Sequence, residues 1–127
     1  MTLYKHSDWV RSICYSLDDK KMISCSHDRQ IIIWNAENGQ IINILNGHTD
    51  WVKSIKYSPD NKYIISCSLD KSIKIWGAND FKLNKAVSRE KGFESHSSSV
   101  NKIVWNGDQL ISVSDDKRII VWEVSFD

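Results

Sequence analysis

The chain repeats one set of four residues, His, Ser, Asp and Trp, three times along its 127 residues. Within every copy the serine precedes the aspartate by four residues, and the aspartate precedes the tryptophan by six. The three histidines start copies that lie 42 and 48 residues apart. Self-similarity at such a period indicates a repeat architecture, so three similar structural units are predicted. The twelve repeated residues are His6, Ser24, Asp28, Trp34, His48, Ser66, Asp70, Trp76, His96, Ser112, Asp116 and Trp122.

The segments between these residues are typical of β-strands. Isoleucine occurs 17 times and valine 8 times, whereas proline occurs once and glycine five times. Short runs in which apolar and polar residues alternate recur, for example SIKIW at 72–76, and no long apolar period of 3.6 residues is present. The predicted fold class is therefore all-β, with turns made largely by Asn, Asp and Ser.

These residues resemble the WD-repeat family of β-propellers, most clearly in the stretch from Gly47-His48 to Ile75-Trp76. The family signature places a Gly-His pair near the start and a Trp-Asp pair at the end of a unit of about 40–45 residues. This chain departs from the signature in both pairs. Lys5 and Ser95 replace two of the glycines, and Asn35, Gly77 and Glu123 replace the aspartates.

The resemblance implies one β-propeller segment of three four-stranded antiparallel blades, which is an incomplete ring on its own. The repeats would span about 6–47, 48–95 and 96–127, with residues 2–5 as an orphan outer strand. The connection 88–95 is longer than its counterpart and is the candidate insertion. The other predicted strands are 9–16, 21–26, 30–34, 40–46, 51–58, 63–68, 72–76, 81–87, 100–105, 109–114 and 118–123.

His, Ser and Asp are also the residue types of nucleophilic hydrolysis. A catalytic triad occurs once in a site, however, whereas this set occurs three times, each time with a tryptophan at a fixed distance. The resemblance implies instead a buried structural relay that runs from Asp to His, from His to Ser and from Ser to the indole N–H. Such a relay satisfies the polar atoms of four buried side chains. No enzymatic activity is therefore expected.

The composition excludes several other classes of protein. Seventeen basic and 16 acidic residues give a net charge of +1, which argues against a strongly basic nucleic-acid tail. The three cysteines form no Cys-x-x-Cys pair, so neither a metal site nor a cofactor is expected. Cys25 and Cys67 occupy equivalent strand positions and are interpreted as small buried residues. No apolar run is long enough to span a membrane, and an intracellular location, cytoplasm or nucleus, is expected.

The resemblance also implies a partner-binding surface near the central channel, formed by loops at one end of the blades. Trp9 and Trp51 are expected to be exposed there beside the cations Arg11 and Lys53. Tryptophan and arginine are enriched in the hot spots of protein interfaces. The alternative is that both tryptophans merely cover the edges of neighbouring blades. The nine residues at the positions that the resemblance assigns to partner binding are Trp9, Arg11, His27, Trp51, Lys53, Leu69, Ser99, Asn101 and Asp115.

Two classes of function follow from this surface. The favoured one is a protein-interaction scaffold that docks a peptide or a subunit. The alternative is binding of RNA or another single-stranded nucleic acid, in which Trp9 and Trp51 would stack on bases. The low net charge argues against this alternative.

Three blades do not make a normal ring, because propellers carry about four to eight. Either the chain is part of a longer propeller or it completes a ring with another chain. Two copies would give six blades, with residues 2–5 of each copy completing the last blade of the other. Both possibilities remain open at the level of sequence.

Overall fold

A computed structural model describes residues 1–88 and 95–123 and contains three antiparallel β-sheets. Sheet 1 consists of β1 (Val10–Tyr15), β2 (Lys21–Ser26), β3 (Gln30–Asn35) and β4 (Ile41–Asn46). Sheet 2 consists of β5 (Val52–Tyr57), β6 (Tyr63–Ser68), β7 (Ile73–Gly77) and β8 (Leu83–Val87). Sheet 3 consists of β9 (Val100–Asn106), β10 (Gln109–Ser114) and β11 (Ile119–Glu123). The predicted all-β fold is confirmed, and the three sheets do not close into a ring.

The predicted strands agree with these bounds to within two residues, with one exception. Residues 2–5 were predicted to form an outer strand, but the chain starts its first strand at Val10. A strand is defined by hydrogen bonds to a neighbour, and within one molecule residues 2–5 pair with none of the three sheets. The predicted insertion at 88–95 lies, apart from its first and last residues, outside the described residues.

The hairpins repeat as closely as the strands do. The turn between the second and third strand of each sheet contains a non-glycine residue with a positive φ of 73°, 73° and 69°, at Arg29, Lys71 and Lys117. The first hairpin of sheet 3 is two residues shorter than those of sheets 1 and 2. Gly107 forms this tighter turn with a φ of +60°, a left-handed conformation that glycine adopts without a steric penalty.

The hydrophobic core consists of two separate layers, one on each side of sheet 2. Successive side chains of a strand point to opposite faces, so Ile64 packs against sheet 1 while Ile65 packs against sheet 3. Neither isoleucine is exposed to solvent. The layer between sheets 1 and 2 contains Ile23, Cys25, Ile31, Ile33, Leu45, Val52, Ile55, Ile64, Trp76 and Ala78. The layer between sheets 2 and 3 contains Ile65, Cys67, Ile73, Ile75, Val87, Val100, Ile103 and Leu110.

Candidate functional site

Each sheet contains a hydrogen-bonded chain of four side chains, and in sheet 2 these are His48, Asp70, Ser66 and Trp76. His48 Nδ1 lies 2.7 Å from Asp70 Oδ2, and His48 Nε2 lies 2.7 Å from Ser66 Oγ. The indole N–H of Trp76 donates to the same Ser66 Oγ at 3.0 Å. All four side chains are removed from solvent to a large extent, and Ser66 is completely buried. We refer to this chain, and to its counterparts, as the relay.

The relay has the same connectivity in the other two sheets. The His–Asp distance is 2.8 Å in sheet 1 and 2.9 Å in sheet 3. The His–Ser distance is 2.6 Å and 2.7 Å, and the Trp–Ser distance is 2.9 Å and 2.8 Å. The histidine precedes the first strand, the serine lies on the second and the tryptophan on the third. Each relay therefore joins three parts of one sheet. Its members in sheets 1 and 3 are His6, Ser24, Asp28, Trp34, His96, Ser112, Asp116 and Trp122.

The direction of the hydrogen bonds follows from what each group can donate. A carboxylate only accepts, so Nδ1 of the neutral imidazole carries the proton and Nε2 accepts the serine hydroxyl. The serine oxygen in turn accepts the indole N–H. Burial of the Asp70 carboxyl raises its pKa, but the hydrogen bonds from His48 and Ser72 outweigh burial and hold the net pKa well below its usual value. Asp70 is therefore ionised at neutral pH.

The aspartate of each relay also fixes the loops at one end of its sheet. Asp28 Oδ2 accepts the backbone N–H of Ser7 at 3.0 Å, and Asp28 Oδ1 accepts that of Gln30 at 2.9 Å. Asp70 and Asp116 accept the equivalent pairs of N–H groups. Sequence reasoning missed this second role. The positive-φ residue that follows each aspartate belongs to the same tight turn.

The arrangement does not expose a nucleophile. Ser24, Ser66 and Ser112 are each at most 4% exposed, and each hydroxyl oxygen already accepts an indole N–H. Substrate could reach such an oxygen only if the core opened. The relay therefore has the geometry of a stabilising network rather than of a catalytic triad.

The nine residues predicted to bind a partner lie at the relay end of the sheets. In every repeat the residue before the relay aspartate donates its backbone N–H to the residue three positions after the relay histidine. These bonds run from His27 to Trp9 at 2.9 Å, from Leu69 to Trp51 at 2.9 Å and from Asp115 to Ser99 at 3.2 Å. The two sets of positions are therefore neighbours in each sheet.

Three rings form a continuous stack across sheets 1 and 2, which we call the aromatic surface: Trp9, His27 and Trp51. The imidazole of His27 stacks on the indole of Trp51 with centroids 3.7 Å apart and planes 5° apart. Trp9 lies on His27 at 5.5 Å with the planes tilted by 31°. Trp9 is 71% exposed and Trp51 is 40% exposed, whereas His27 is buried. Part of Trp51 therefore covers the neighbouring sheet, and most of Trp9 is in contact with solvent.

The polar residues of this end form a bridge between sheets 2 and 3. Lys53 Nζ donates to Asn101 Oδ1 at 2.9 Å, and Asn101 Nδ2 donates to Asp115 Oδ1 at 2.7 Å. The hydroxyl of Ser99 donates to the same Asn101 oxygen at 3.0 Å. Arg11, the counterpart of Lys53 in sheet 1, is exposed and makes no hydrogen bond within residues 1–88 and 95–123.

The structure adds detail for three of the nine residues predicted to bind a partner. Ser99 is 3% exposed and His27 is 6% exposed, so both lie largely beneath the surface. Lys53 was expected as a cation beside the tryptophans, and its ammonium donates a hydrogen bond to Asn101 of the next sheet. The repeat pattern does not show which side chains of adjacent sheets meet, and this is why the pairing was not predicted. Leu69 is half-buried, and Asp115 is exposed.

The remaining reactive groups do not form a site. Burial raises the pKa of Cys14 to about 11 and that of Cys25 to about 12, and burial also raises the pKa of Cys67. Thiols of this kind are poor nucleophiles at neutral pH. Within the described part of the chain, no three His, Cys, Asp or Glu residues are grouped to hold a metal ion. The same residues contain no helix with the length and apolar character to cross a membrane.

Comparison with known proteins decides the family. The sequence model described as "WD domain, G-beta repeat" matches residues 1–35, 39–77 and 88–123, which together are most of the chain. The chain belongs to the WD40 repeat family. Each sheet described above is thus a WD40 blade or, for sheet 3, the first three strands of one.

Two curated WD40 relatives carry the same name. Pre-mRNA-processing factor 17 from Homo sapiens and its counterpart from Mus musculus are each 31% identical to the chain over 124 residues. The match covers 96% of this chain and 21% of each relative, so the chain spans about a fifth of their length. Among solved structures, the WD40 repeats of RRP9 superpose with a TM-score of 0.87 and 27% identity. That match covers 96% of this chain and 37% of the RRP9 chain.

Proposed function

We propose that the chain is a non-catalytic WD40 scaffold that docks a protein or peptide on the aromatic surface. The observation that carries the proposal is the stack of Trp9, His27 and Trp51, whose outermost ring is 71% exposed. An exposed indole on a rigid support buries a large apolar area when a partner covers it, at a small loss of side-chain entropy. Hot spots of protein interfaces have this composition.

The relay supports this function indirectly. Asp28 holds the loop that carries Trp9 through the N–H of Ser7, and Asp70 holds the loop that carries Trp51 through the N–H of Thr49. The two rings are therefore presented by loops with fixed backbones. A preorganised surface loses less entropy when it binds than a mobile one does.

The names of two relatives support a proposal for the setting of this scaffold. Two of them are named for pre-mRNA processing. We therefore propose a protein subunit of an RNA-processing assembly as the partner, inside the cell, in nucleus or cytoplasm. The open faces of sheets 1 and 3 would be covered by further blades, supplied by the same polypeptide or by another chain.

Direct binding of single-stranded RNA is the second candidate. Arg11 lies on the strand that follows Trp9 and makes no hydrogen bond in the described parts of the chain. An indole beside a cation is a suitable place for an unpaired base. Lys53 gives this candidate less support than Arg11 does, because Lys53 is half-buried and its ammonium already donates a hydrogen bond to Asn101.

Capture of proteins from a nuclease-treated cell extract tests the proposal. Immobilised wild-type chain and the Trp9→Ala variant are compared, with Leu17→Ala as the control. Leu17 is 78% exposed and lies beyond the opposite end of β1, so it is a matched exposed apolar residue away from the surface. We expect proteins that the wild type and the control retain and that Trp9→Ala loses. Identical retention by all three chains would remove the aromatic surface from the proposal.

Fluorescence anisotropy with a labelled single-stranded RNA separates the second candidate. Binding of RNA should weaken steeply as salt is raised, because phosphate contacts release counterions. We expect no binding at physiological salt that depends on Trp9 and Arg11. Binding that is lost in both Trp9→Ala and Arg11→Ala would instead assign the surface to RNA.

A further inference from the structure

Sheets 1 and 3 each leave one apolar face open. On sheet 1 this face, the leading face, exposes Val10, Ile13 and Tyr15 to 53–56%, whereas Ile32 and Trp34 of the same face are buried. On sheet 3 the corresponding surface, the trailing face, consists of Ile119 and Val121, which are 71% and 53% exposed. Apolar groups exposed in this way mark an interaction surface.

The two open faces are the two halves of an interface that the chain already contains twice. Val52 and Ile55, the counterparts of Val10 and Ile13 in sheet 2, are fully buried against sheet 1. The counterparts of Ile119 and Val121 in sheet 2, Ile73 and Ile75, are buried against sheet 3. A trailing face thus fits a leading face, and the molecule carries one unpaired example of each.

The open edge of β11 also matches a segment of this chain, residues 2–5. In sheets 1 and 2 the fourth strand places a buried residue opposite the first core isoleucine of the third strand. The pairs are Leu45 opposite Ile31 and Val87 opposite Ile73. Leu3 lies three residues before His6, as Leu45 lies three residues before His48. Residues 2–5 therefore have the pattern of a fourth strand, with Leu3 in register to face Ile119 of another molecule.

Charged residues beside the trailing face of sheet 3 and the leading face of sheet 1 are also complementary. Lys53 bridges sheets 2 and 3 by binding Asn101, which in turn binds Asp115. Asp115 is exposed at the open end of this bridge. Arg11 occupies the position of Lys53 in sheet 1 and has no hydrogen-bond partner in residues 1–88 and 95–123. If a trailing face met a leading face as sheets 2 and 3 do, the Asn101–Asp115 pair would come beside an Arg11.

We infer that the 127-residue chain associates with a second copy of itself, trailing face to leading face, as a six-bladed ring. The inference extends the proposed function by naming the occupant of the open faces. Two copies related by a two-fold axis use each open face once, so the assembly closes. Six blades lie within the usual range of propellers, whereas three copies would give nine. Residues 2–5 of each copy form the fourth strand of sheet 3 in the other.

Mass in solution provides the first test. Sedimentation equilibrium of the wild-type chain over a range of concentrations should give twice the chain mass of 14.7 kDa. Ile119→Glu places a charge in the new core and should return the mass to one chain. Leu83→Glu is the matched control, because Leu83 is 47% exposed on β8 of the middle sheet and takes part in neither open face. This control should keep the double mass.

Cross-linking provides the second test and does not depend on the stability of a charged variant. A Leu3→Cys chain mixed with an Ile119→Cys chain should form a disulfide-linked pair under mild oxidation, since opposed strand residues lie at bridging distance. Leu3→Cys mixed with Leu83→Cys should form none, and wild-type chain under the same oxidant accounts for the native cysteines.

Three results would overturn the inference: a single-chain mass at every concentration, a ladder of larger sizes, or a link to position 83 as strong as the link to position 119. A single-chain mass would assign the open faces to blades of another polypeptide or another part of the same one. A single-chain mass of the wild type with retained Trp9-dependent capture removes the inference alone. A double mass without Trp9-dependent capture removes the proposed docking alone.

Discussion

The imidazole of His27 lies flat on the indole of Trp51, with the ring centroids 3.7 Å apart and the planes within 5° of parallel. The two residues belong to different sheets, so the contact joins the relay ends of sheets 1 and 2. Trp9 lies beside His27, with the ring centroids 5.5 Å apart, and stays largely exposed. Trp51 thus joins two blades, whereas Trp9 is the ring that we propose contacts a partner.

This division predicts different effects for the two tryptophans. Trp51→Ala removes the stacking contact between sheets and should lower the free energy of unfolding by about 1–2 kcal/mol. Trp9→Ala removes a ring that is mostly in solvent and should change it by less than about 0.5 kcal/mol. Urea denaturation followed by circular dichroism measures both. Equal losses for the two variants would mean that Trp9 is also a structural cover and would weaken its assignment as a contact residue.

The relay serine is expected to contribute to stability through two bonds at once. Ser66→Ala leaves the N–H of Trp76 and the Nε2 of His48 without a partner in a buried place. The expected loss is about 1–3 kcal/mol in the free energy of unfolding. Ser98→Ala is the control, because Ser98 is a half-buried serine that forms no hydrogen bond with residues 1–88 and 95–123. A Ser66→Ala chain as stable as this control would contradict the role of the relay.

Stability should fall in acid because of the relay aspartates. The pKa values of Asp28, Asp70 and Asp116 lie below the usual 3.8, since hydrogen bonds to the carboxylates outweigh the effect of burial. Such groups stabilise the fold above about pH 4, where they are ionised in both states, and this contribution is lost as the pH falls towards the depressed pKa. Urea midpoints between pH 7 and pH 2 measure the loss. Asp70→Asn should flatten the profile below pH 4, and a profile parallel to that of the wild type would refute the assignment.

The three cysteines should be slow to react in the folded chain. Burial raises the pKa of Cys14 to about 11 and that of Cys25 to about 12, so little thiolate is present at pH 8. With a colorimetric disulfide reagent we expect slow reaction of the native protein, first at the half-buried Cys14, and immediate reaction of all three thiols in urea. Cys14→Ala should remove the first native phase. Fast modification of Cys25 or Cys67 without denaturant would show that the sheets separate readily.

The strands could be predicted from the sequence because their signals are local. Alternation of apolar residues and fixed spacings locate β6 and β7, and the same spacings placed Ser66 near Trp76. The contact of His27 with Trp51 could not be predicted from the sequence, because it depends on how one sheet is rotated against the next. One signal was available: the positions before the relay aspartates hold His27, Leu69 and Asp115, and only the first is aromatic.

The strand at 2–5 shows the limit of local signals most clearly. Leu3 has the spacing of a buried outer-strand residue, yet a strand needs a neighbour as well as a pattern. The sequence did not predict the pairing of Lys53 with Asn101 for a similar reason. Its two residues are 48 positions apart, and their meeting is decided by the side-chain conformations of adjacent sheets.

The relay takes its histidine from the segment before the first strand, its serine from the second strand and its tryptophan from the third. The outermost strand of a blade contributes none of the four side chains. The relay of a blade can therefore form without the fourth strand. That strand can be supplied by the same blade or by another segment or chain. Evolution could regroup such blades by fission or fusion of genes without rebuilding any relay.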